Sequence, residues 1–501
     1  MPLSRRLFIR HLTAAAATTA LPAAQGKRPN ILFAIFDDWG YGHAGAYGAK
    51  WIRTPAFDRI AKEGVLFTHC FTSNPKCSPC RATILTGRNS WQLKEAVSHN
   101  SIMPNDFPVY PALLEKAGYF VGLTGKGWGP GDFKSSGFPH NPAGREFTKY
   151  RSSPPFKGIG TNDYARNFEY FLEERAAGPG KDQPFCFWMG FQEPHRTYEE
   201  GSGMRAGRNV KEVPLPPYYP QDSTLIQSDM LDYAMEVEWA DRHLSQVLKK
   251  LEAVGELDNT LLIATSDHGM PFPRVKGQIY EDGFHIPLAI RWGSGMTGGR
   301  VSNDFVNMRD FAPTFLEVAG VSPPSTITGK SFLNILKSNQ SGIVDPSRDV
   351  MLTGKERHDL GRPNDAGYPV RAIRTRQYLY IRNYAPESWP AGNPETGYRN
   401  VDDSPTKTML LSSFDKYYRL SFGKRAAEEL YDIEADPGCL NNLSAAAGFT
   451  AIRQDLLTRM EKLLQEEGDP RLNGGASFFD TIKYVGPRKH SYEQWLKNQA
   501  P

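Results

Sequence analysis

Three short clusters in this chain hold side chains that could do chemistry together. Asp37 and Asp38 stand side by side after one apolar run, and Asp267-His268 follows another. Adjacent carboxylates can reach a common hard cation, and oxygen donors suit Ca²⁺ or Mg²⁺. Taken alone, an Asp-Asp pair serves equally well as a turn or a helix cap. The imidazole of His268 changes the donor set, because nitrogen binds Mn²⁺ or Zn²⁺ more readily than Ca²⁺. The third cluster is CSPCRATILTGR, residues 77–88. By spacing alone, Cys77 and Cys80 are a redox pair at a helix start, half of a four-cysteine zinc site, a disulfide, or two inert thiols. The zinc reading lacks a second pair, since Cys186 and Cys439 stand apart. The redox reading expects a strand running straight into the cysteines, and here HCFTSNPK intervenes.

The elements that must position these groups are also visible. ILFAIF, residues 31–36, is a short apolar run without helical period and reads as a buried strand ending at Asp37-Asp38. Residues 119–123 run into Thr124-Gly125-Lys126, residues 184–191 into Glu193-Pro194-His195, and residues 259–266 into Asp267-His268-Gly269. Helices are expected at 54–64, around Ala82, at 109–117 and at 229–254. Strands alternating with helices predict a mostly parallel sheet covered on both faces. Ligands of open α/β sheets lie beyond the carboxyl ends of the strands. Four runs, each ending in a group able to bind metal or an anion, therefore predict one polar site at one sheet edge. Past residue 365, VRAIRTRQYLYIRNY alternates apolar and charged residues, as strands with one wet face do. The division expected is 28–365 for the larger unit and 366–501 for a smaller one, with an antiparallel sheet and a helix from about 452 to 467. Residues 404–418 read as a long loop or a broken helix.

Composition narrows the class. The chain has 501 residues, 40% hydrophobic and 12% aromatic, enough for large cores. A formal charge of +4 on that length is no footprint for nucleic acid. Residues 1–24 pair Arg5-Arg6 with an Ala/Thr-rich apolar stretch, the pattern of an export signal resembling the bacterial twin-arginine type. A periplasmic or secreted protein is expected, with the twin-arginine machinery as a partner. Five cysteines are too few for a disulfide framework.

The segment from Cys77 to Arg88 matches the C-x-P-x-R…LTGR signature of type I sulfatases in the alkaline phosphatase superfamily. It lies behind a strand ending in Asp-Asp, as in that family, and the resemblance extends over residues 28–470. TSDHGMPFP, FQEPHR and the late ELYD…DP stretch look closest to the N-sulfoglucosamine sulfohydrolases. The resemblance implies an alkaline phosphatase-like fold and a sulfuric ester hydrolase. It implies that a formylglycine-generating maturation enzyme, reading the unfolded chain, oxidises Cys77 to Cα-formylglycine. It implies a divalent cation on Asp37, Asp38, Cys77 and Asp267, with Ca²⁺ favoured. The family's usual fourth side chain is Asn where this chain has His268, which keeps Mn²⁺ and Zn²⁺ open. Arg81 and Lys126 resemble the residues that hold the aldehyde hydrate and the sulfate, His195 the group near the departing oxygen, and Lys276 the cation of the sulfate pocket. Where the family usually has a histidine two residues after Lys126, this chain has Trp128. Trp128 or Trp39 could stack on a sugar or pack in the core. Glu356, Arg357 and His358 could line a sugar pocket or be surface charge.

The substrate implied is a sulfated oligosaccharide or a glycosaminoglycan-like sugar. Cleavage of an N-sulfate, or of a phosphonate monoester or phosphodiester, remains the enzymatic alternative, the latter because superfamily relatives with those activities also carry Asp-His. A carbohydrate-binding protein with an unmodified cysteine is the non-catalytic alternative.

Overall fold

The computed structural model describes residues 27–489 and 491–499; the expected export signal, with Arg5 and Arg6, lies outside them. The larger sheet has eight strands. Its order is Val306–Asn307, Val65–Phe71, His285–Arg291, Thr260–Ser266, Asn30–Phe36, Phe185–Gly190 and Phe120–Gly125, with Arg300–Ser302 paired beside Val65–Phe71. Asn30–Phe36 runs parallel to Thr260–Ser266 on one side and to Phe185–Gly190 on the other. Phe120–Gly125 continues the parallel run. His285–Arg291 is antiparallel to both its neighbours, which makes the sheet mixed.

Every residue of Asn30–Phe36, Phe185–Gly190 and Thr260–Ser266 is buried. Such strands need no polar face, so their sequences show none. Side chains alternate between the two faces. Leu32, Ala34 and Phe36 join one core with the helix Thr224–Ala253, while Ile31, Phe33 and Ile35 join another with Phe311 and Phe315. The expected helices form at Pro55–Glu63, Cys77–Thr86 and Tyr110–Lys116. The long helix Thr224–Ala253 starts ahead of Asp229 because Ser223 caps it, Oγ accepting from the Ile226 N–H at 3.3 Å.

The smaller sheet is antiparallel, in the order Val350–Lys355, Val370–Thr375, Tyr378–Asn383, Glu428–Asp432. It begins ahead of residue 365, where the composition changes, because Val350–Lys355 pairs along its whole length with Val370–Thr375. The helix Thr450–Glu466 lays Leu456, Met460 and Leu464 onto Leu352, Ile373, Tyr380 and Leu430. Residues 404–418 hold a helix, Pro405–Ser413, and the start of a second, Lys416–Phe422, separated at Phe414 with φ 50°. Among the described residues, no helix is long and apolar enough to cross a membrane.

Candidate active site

The register of the parallel strands brings their carboxyl ends level: Phe36 opposite Ser266, Ile35 opposite Gly190, and Gly125 opposite Gly190. Asp37-Asp38, Lys126, His195 and Asp267-His268 thereby emerge along one edge. Asp38 adopts a φ of 78°, which a non-glycine residue holds only when its surroundings enforce it. Three successive N–H groups do so. Asp38 donates to Asp267 Oδ1 at 3.1 Å, Trp39 to Ser266 Oγ at 2.8 Å, and Gly40 to the Tyr233 hydroxyl at 3.0 Å.

Cys77 is the first residue of the buried helix Cys77–Thr86, and extended Lys76 at the cap supplies no side-chain hydrogen bond. The cysteine thus sits at the positive end of the helix dipole. Its Sγ lies 3.4 Å from Asp37 Oδ1 and 3.5 Å from His268 Nε2. Cys80 points into the apolar core, and all five cysteines are free thiols, so the disulfide reading of the pair does not hold.

Buried cations surround the carboxylates. Arg81 donates from Nε to Asp267 Oδ2 at 3.0 Å and from Nη1 to the Lys126 carbonyl at 2.7 Å. Lys126 Nζ reaches Asp37 Oδ2 at 2.5 Å. Lys276 Nζ bridges Asp38 Oδ2 at 2.6 Å and Asp402 Oδ2 at 2.7 Å. His195 places its Nδ1 2.6 Å from the Arg196 carbonyl and lies within one cluster with Asp38 and Asp402.

Burial raises the Asp37 carboxyl, but Lys126 and Arg81 outweigh it and hold the group well below the usual range. Burial and Asp37 also push the Cys77 thiol up, and Lys126, His268 and His99 more than reverse them. Burial opposes the charge on Lys276, which Asp38 and Asp402 nevertheless keep well above an ordinary lysine. At His268 burial again favours the neutral ring, yet Asp267 and Asp38 hold its proton, raising it to about 9. Asp267 itself is pushed up by burial against the pull of His268 and Arg81.

Asp37, Asp38, Cys77 and His268 each offer one donor atom, all within 4.8 Å of one another. Asp38 Oδ1 faces His268 Nε2 at 3.0 Å inside this set. Asp267 adjoins the set through Oδ1, 3.6 Å from His268 Nε2. Acids this deeply buried, with four donor atoms this close together, fit a divalent cation. The donors are oxygen with a single imidazole, a set that oxygen-seeking ions and Mn²⁺ or Zn²⁺ can all accept.

Cys77, Asp37, Lys126 and His195 line a cleft of about 460 Å³ together with His99, Glu193, Arg196, Glu236 and the glycines 129, 158 and 160. His99, Glu236 and Asp402 escaped the sequence reading. Each is a lone residue outside any motif, and Asp402 in VDDSP looks like a turn ahead of a helix.

The sugar-pocket candidates do not line this cleft. Trp128 and Trp39 are 3% and 0% exposed and belong to the two cores, because each ring sits among apolar side chains under the site. Glu356 is ion-paired with Arg371 at 2.9 Å and Arg471 at 2.5 Å. Arg357 donates to the Ile482 carbonyl at 2.5 Å, and His358 Nε2 meets Asn74 Oδ1 at 2.9 Å. All three are buried and none lines the cleft; Glu356 and Arg357 tie parts of the smaller unit together, and His358 reaches the loop at Asn74. Glu356→Ala is accordingly expected to destabilise the fold by about 1–3 kcal/mol, since it removes two buried bonds while Arg371 keeps its pair with Asp469. The midpoint of denaturant unfolding measures this, and an unchanged midpoint would contradict the structural role.

The sulfatase family model matches residues 29–321, and the model for the C-terminal part of N-sulphoglucosamine sulphohydrolase matches residues 272–390. The chain belongs to the sulfatase family. It is a sulfatase-type hydrolase with an alkaline phosphatase-like fold. An ulvan-active sulfatase of Formosa agariphila is 27% identical over 448 residues, covering 89% of this chain and 82% of its own. Human N-sulphoglucosamine sulphohydrolase is 27% identical over 495 residues, covering 90% and 92%. A structure solved in complex with its substrate D-glucosamine-2-N,6-O-disulfate superposes with a TM-score of 0.64 at 23% identity, over 88% of this chain and 99% of that one. Relatives named for ulvan and for N-sulphoglucosamine match at the same identity, so the N-sulfoglucosamine subgroup expected from sequence is not singled out.

Proposed function

We propose that the protein removes sulfate from a sulfated saccharide with Cys77, oxidised to Cα-formylglycine, as the nucleophile-bearing residue. The observation that carries this reading is the position of Cys77. It sits at a helix start on the floor of the cleft, against Asp37 and His268 and beside Lys126. Formylglycine supplies, as its hydrate, one hydroxyl that attacks sulfur and a second whose deprotonation expels sulfate. Asp37, Asp38 and His268, with Asp267 adjoining, would hold the cation, Ca²⁺ by preference with Mn²⁺ or Zn²⁺ admitted by His268. When bound it neutralises the sulfate and lowers the pKa of the attacking hydroxyl.

The chain's own residues do the rest. Lys126 and the start of the helix hold the anion by preorganised positive charge. Arg81 fixes Asp267 and the backbone of Lys126, so both sides of the reacting group are tied to one guanidinium. Lys276 compensates Asp38 from behind the site and ties it to Asp402. His195 stands at the cleft and delivers the proton to the departing sugar oxygen or nitrogen. A formylglycine-generating enzyme and the twin-arginine exporter are the partners this reading needs, with the periplasm or the exterior as its location.

A second reading, a phosphonate monoester or phosphodiester hydrolase, is favoured by the Asp267-His268 pair. Protein whose formylglycine is verified by peptide mass is assayed on p-nitrophenyl sulfate and an aryl phosphonate ester. A higher kcat/KM on the sulfate supports the first reading, and the reverse order replaces it. His195→Ala is expected to lower kcat/KM by roughly 10²–10⁴-fold on a sugar sulfate but far less on p-nitrophenyl sulfate, whose leaving group needs little protonation. Lys276→Ala should harm both substrates alike. Equal losses for His195→Ala would take the acid role from it.

A further inference from the structure

The helix Thr224–Ala253 turns one acidic residue, Glu236, toward the cleft. Glu236 lines the cleft with Glu193, His195 and Gly160, and 2% of its surface is exposed. Its Oε2 has no hydrogen-bond partner. A carboxyl group this deep normally has a donor or a cation beside it, since an unsatisfied buried acid is costly.

Arg196 and Glu193, which share this cleft, are committed elsewhere. Arg196 in the same cleft forms a bidentate pair with Asp229, both bonds at 2.8 Å, and gives its Nε to the Pro271 carbonyl at 2.9 Å. Glu193, the other acid of this wall, is already complete: Oε1 accepts from the Gly160 N–H at 2.9 Å and Oε2 from the Tyr164 hydroxyl at 2.8 Å. Lys126, His99 and His195 bring nitrogen groups to the cleft beside Cys77, where a sulfate belongs, and Glu236 adds an acid with an unpartnered oxygen. Burial, with Glu193 adding to it, pushes Glu236 up to about 9, so the group can both accept and donate, as a sugar hydroxyl does.

Resting on the sulfatase reading above, we propose that Glu236 is a specificity-determining residue that hydrogen-bonds a hydroxyl or amino group of the sugar bearing the scissile sulfate. The side chain is placed for recognition rather than for stability. Its open valence is filled when the sugar enters, and a ligand with nothing to offer there leaves a buried polar group unpaired.

The test uses formylglycine-bearing wild type, Glu236→Leu and Glu236→Gln. The substrates are p-nitrophenyl sulfate, which has no ring hydroxyl, and the 6-sulfates of glucosamine, N-acetylglucosamine and galactose. For the best of the three sugars, Glu236→Leu is expected to lower the sugar-to-aryl ratio of kcat/KM by roughly 10–100-fold. Its Tm should equal or exceed that of wild type, because an unpaired buried acid has been removed. Glu236→Gln should keep most of the ratio if the partner is a hydroxyl, and lose it if the partner is an ammonium that needs the charge. An unchanged ratio in Glu236→Leu overturns the proposal. So does an equal loss on both substrates with a lower Tm, or failure of wild type to use any of the three sugars while it turns over p-nitrophenyl sulfate. No turnover of p-nitrophenyl sulfate by wild type would bring down the sulfatase reading itself, and is told apart by that assay.

Discussion

Cys77→Ser takes up one sulfuryl group and stops. A serine hydroxyl at this helix start meets the same Asp37, His268 and Lys126 as the hydrate does, so it can still attack sulfur. It has no second hydroxyl on the same carbon, and the resulting ester cannot collapse. Multiple turnover of p-nitrophenyl sulfate should fall by on the order of 10⁴–10⁶-fold, the scale on which losing a nucleophile is felt. After a single exposure, the peptide that carries the introduced serine should be heavier by one SO₃. Wild-type turnover from this variant, or from protein carrying only the unmodified thiol, would sink the formylglycine mechanism.

Exhaustive chelation is expected to remove turnover by roughly 10³-fold or more, the equivalent of several kcal/mol of transition-state stabilisation. Restoring Ca²⁺ should also raise Tm, since the ion binds the folded carboxylates and not the unfolded chain. The thermal shift reads the site independently of catalysis. Asp267→Ala should be inactive as well, because it frees Arg81 and the Asp38 N–H at once. His268→Asn separates the ions. Retained activity with Ca²⁺ marks the histidine as a tolerated variant, whereas activity of the parent enzyme only with Mn²⁺ or Zn²⁺ would displace calcium. Full activity after complete metal removal would end the metal assignment.

Buried apolar runs make the parallel centre of the fold legible. Residues 31–36, 184–191 and 259–266 fall on three strands in which every position is buried, so a continuous apolar run is their signal. Val65–Phe71 and His285–Arg291 are harder to read, since Thr68-His69 and Pro287 interrupt them. The first strand of the antiparallel sheet reads with the larger unit, because MLTGK shows no alternation of its own and is defined by its partner at 370–375. In the site, every group that follows a strand within a motif is legible from sequence. His99, Glu236 and Asp402 are not, because what places them is tertiary contact: a loop, a helix face and a segment of the smaller unit that meet only once the chain has folded. The tryptophans and the 356–358 cluster show the converse. Residue type suggests sugar recognition, and burial assigns them to packing and to ion pairs.

The burial of Cys77 also sets a clock. The cysteine is 1% exposed, and one of the groups that covers it, His268, is encoded 191 residues downstream. At roughly 5–20 residues per second of synthesis, the ribosome needs about 10–40 s to travel from one to the other. The central strand Asn30–Phe36 cannot complete its pairing with Thr260–Ser266 before then. For that interval the thiol lies on an emerging chain that lacks its lid, within reach of an oxidising enzyme. On the formylglycine reading proposed above, docking of the second strand would close access, and molecules missed during elongation would stay as thiols. The fraction of active protein should therefore depend on how fast the chain is made relative to how much maturation enzyme is present.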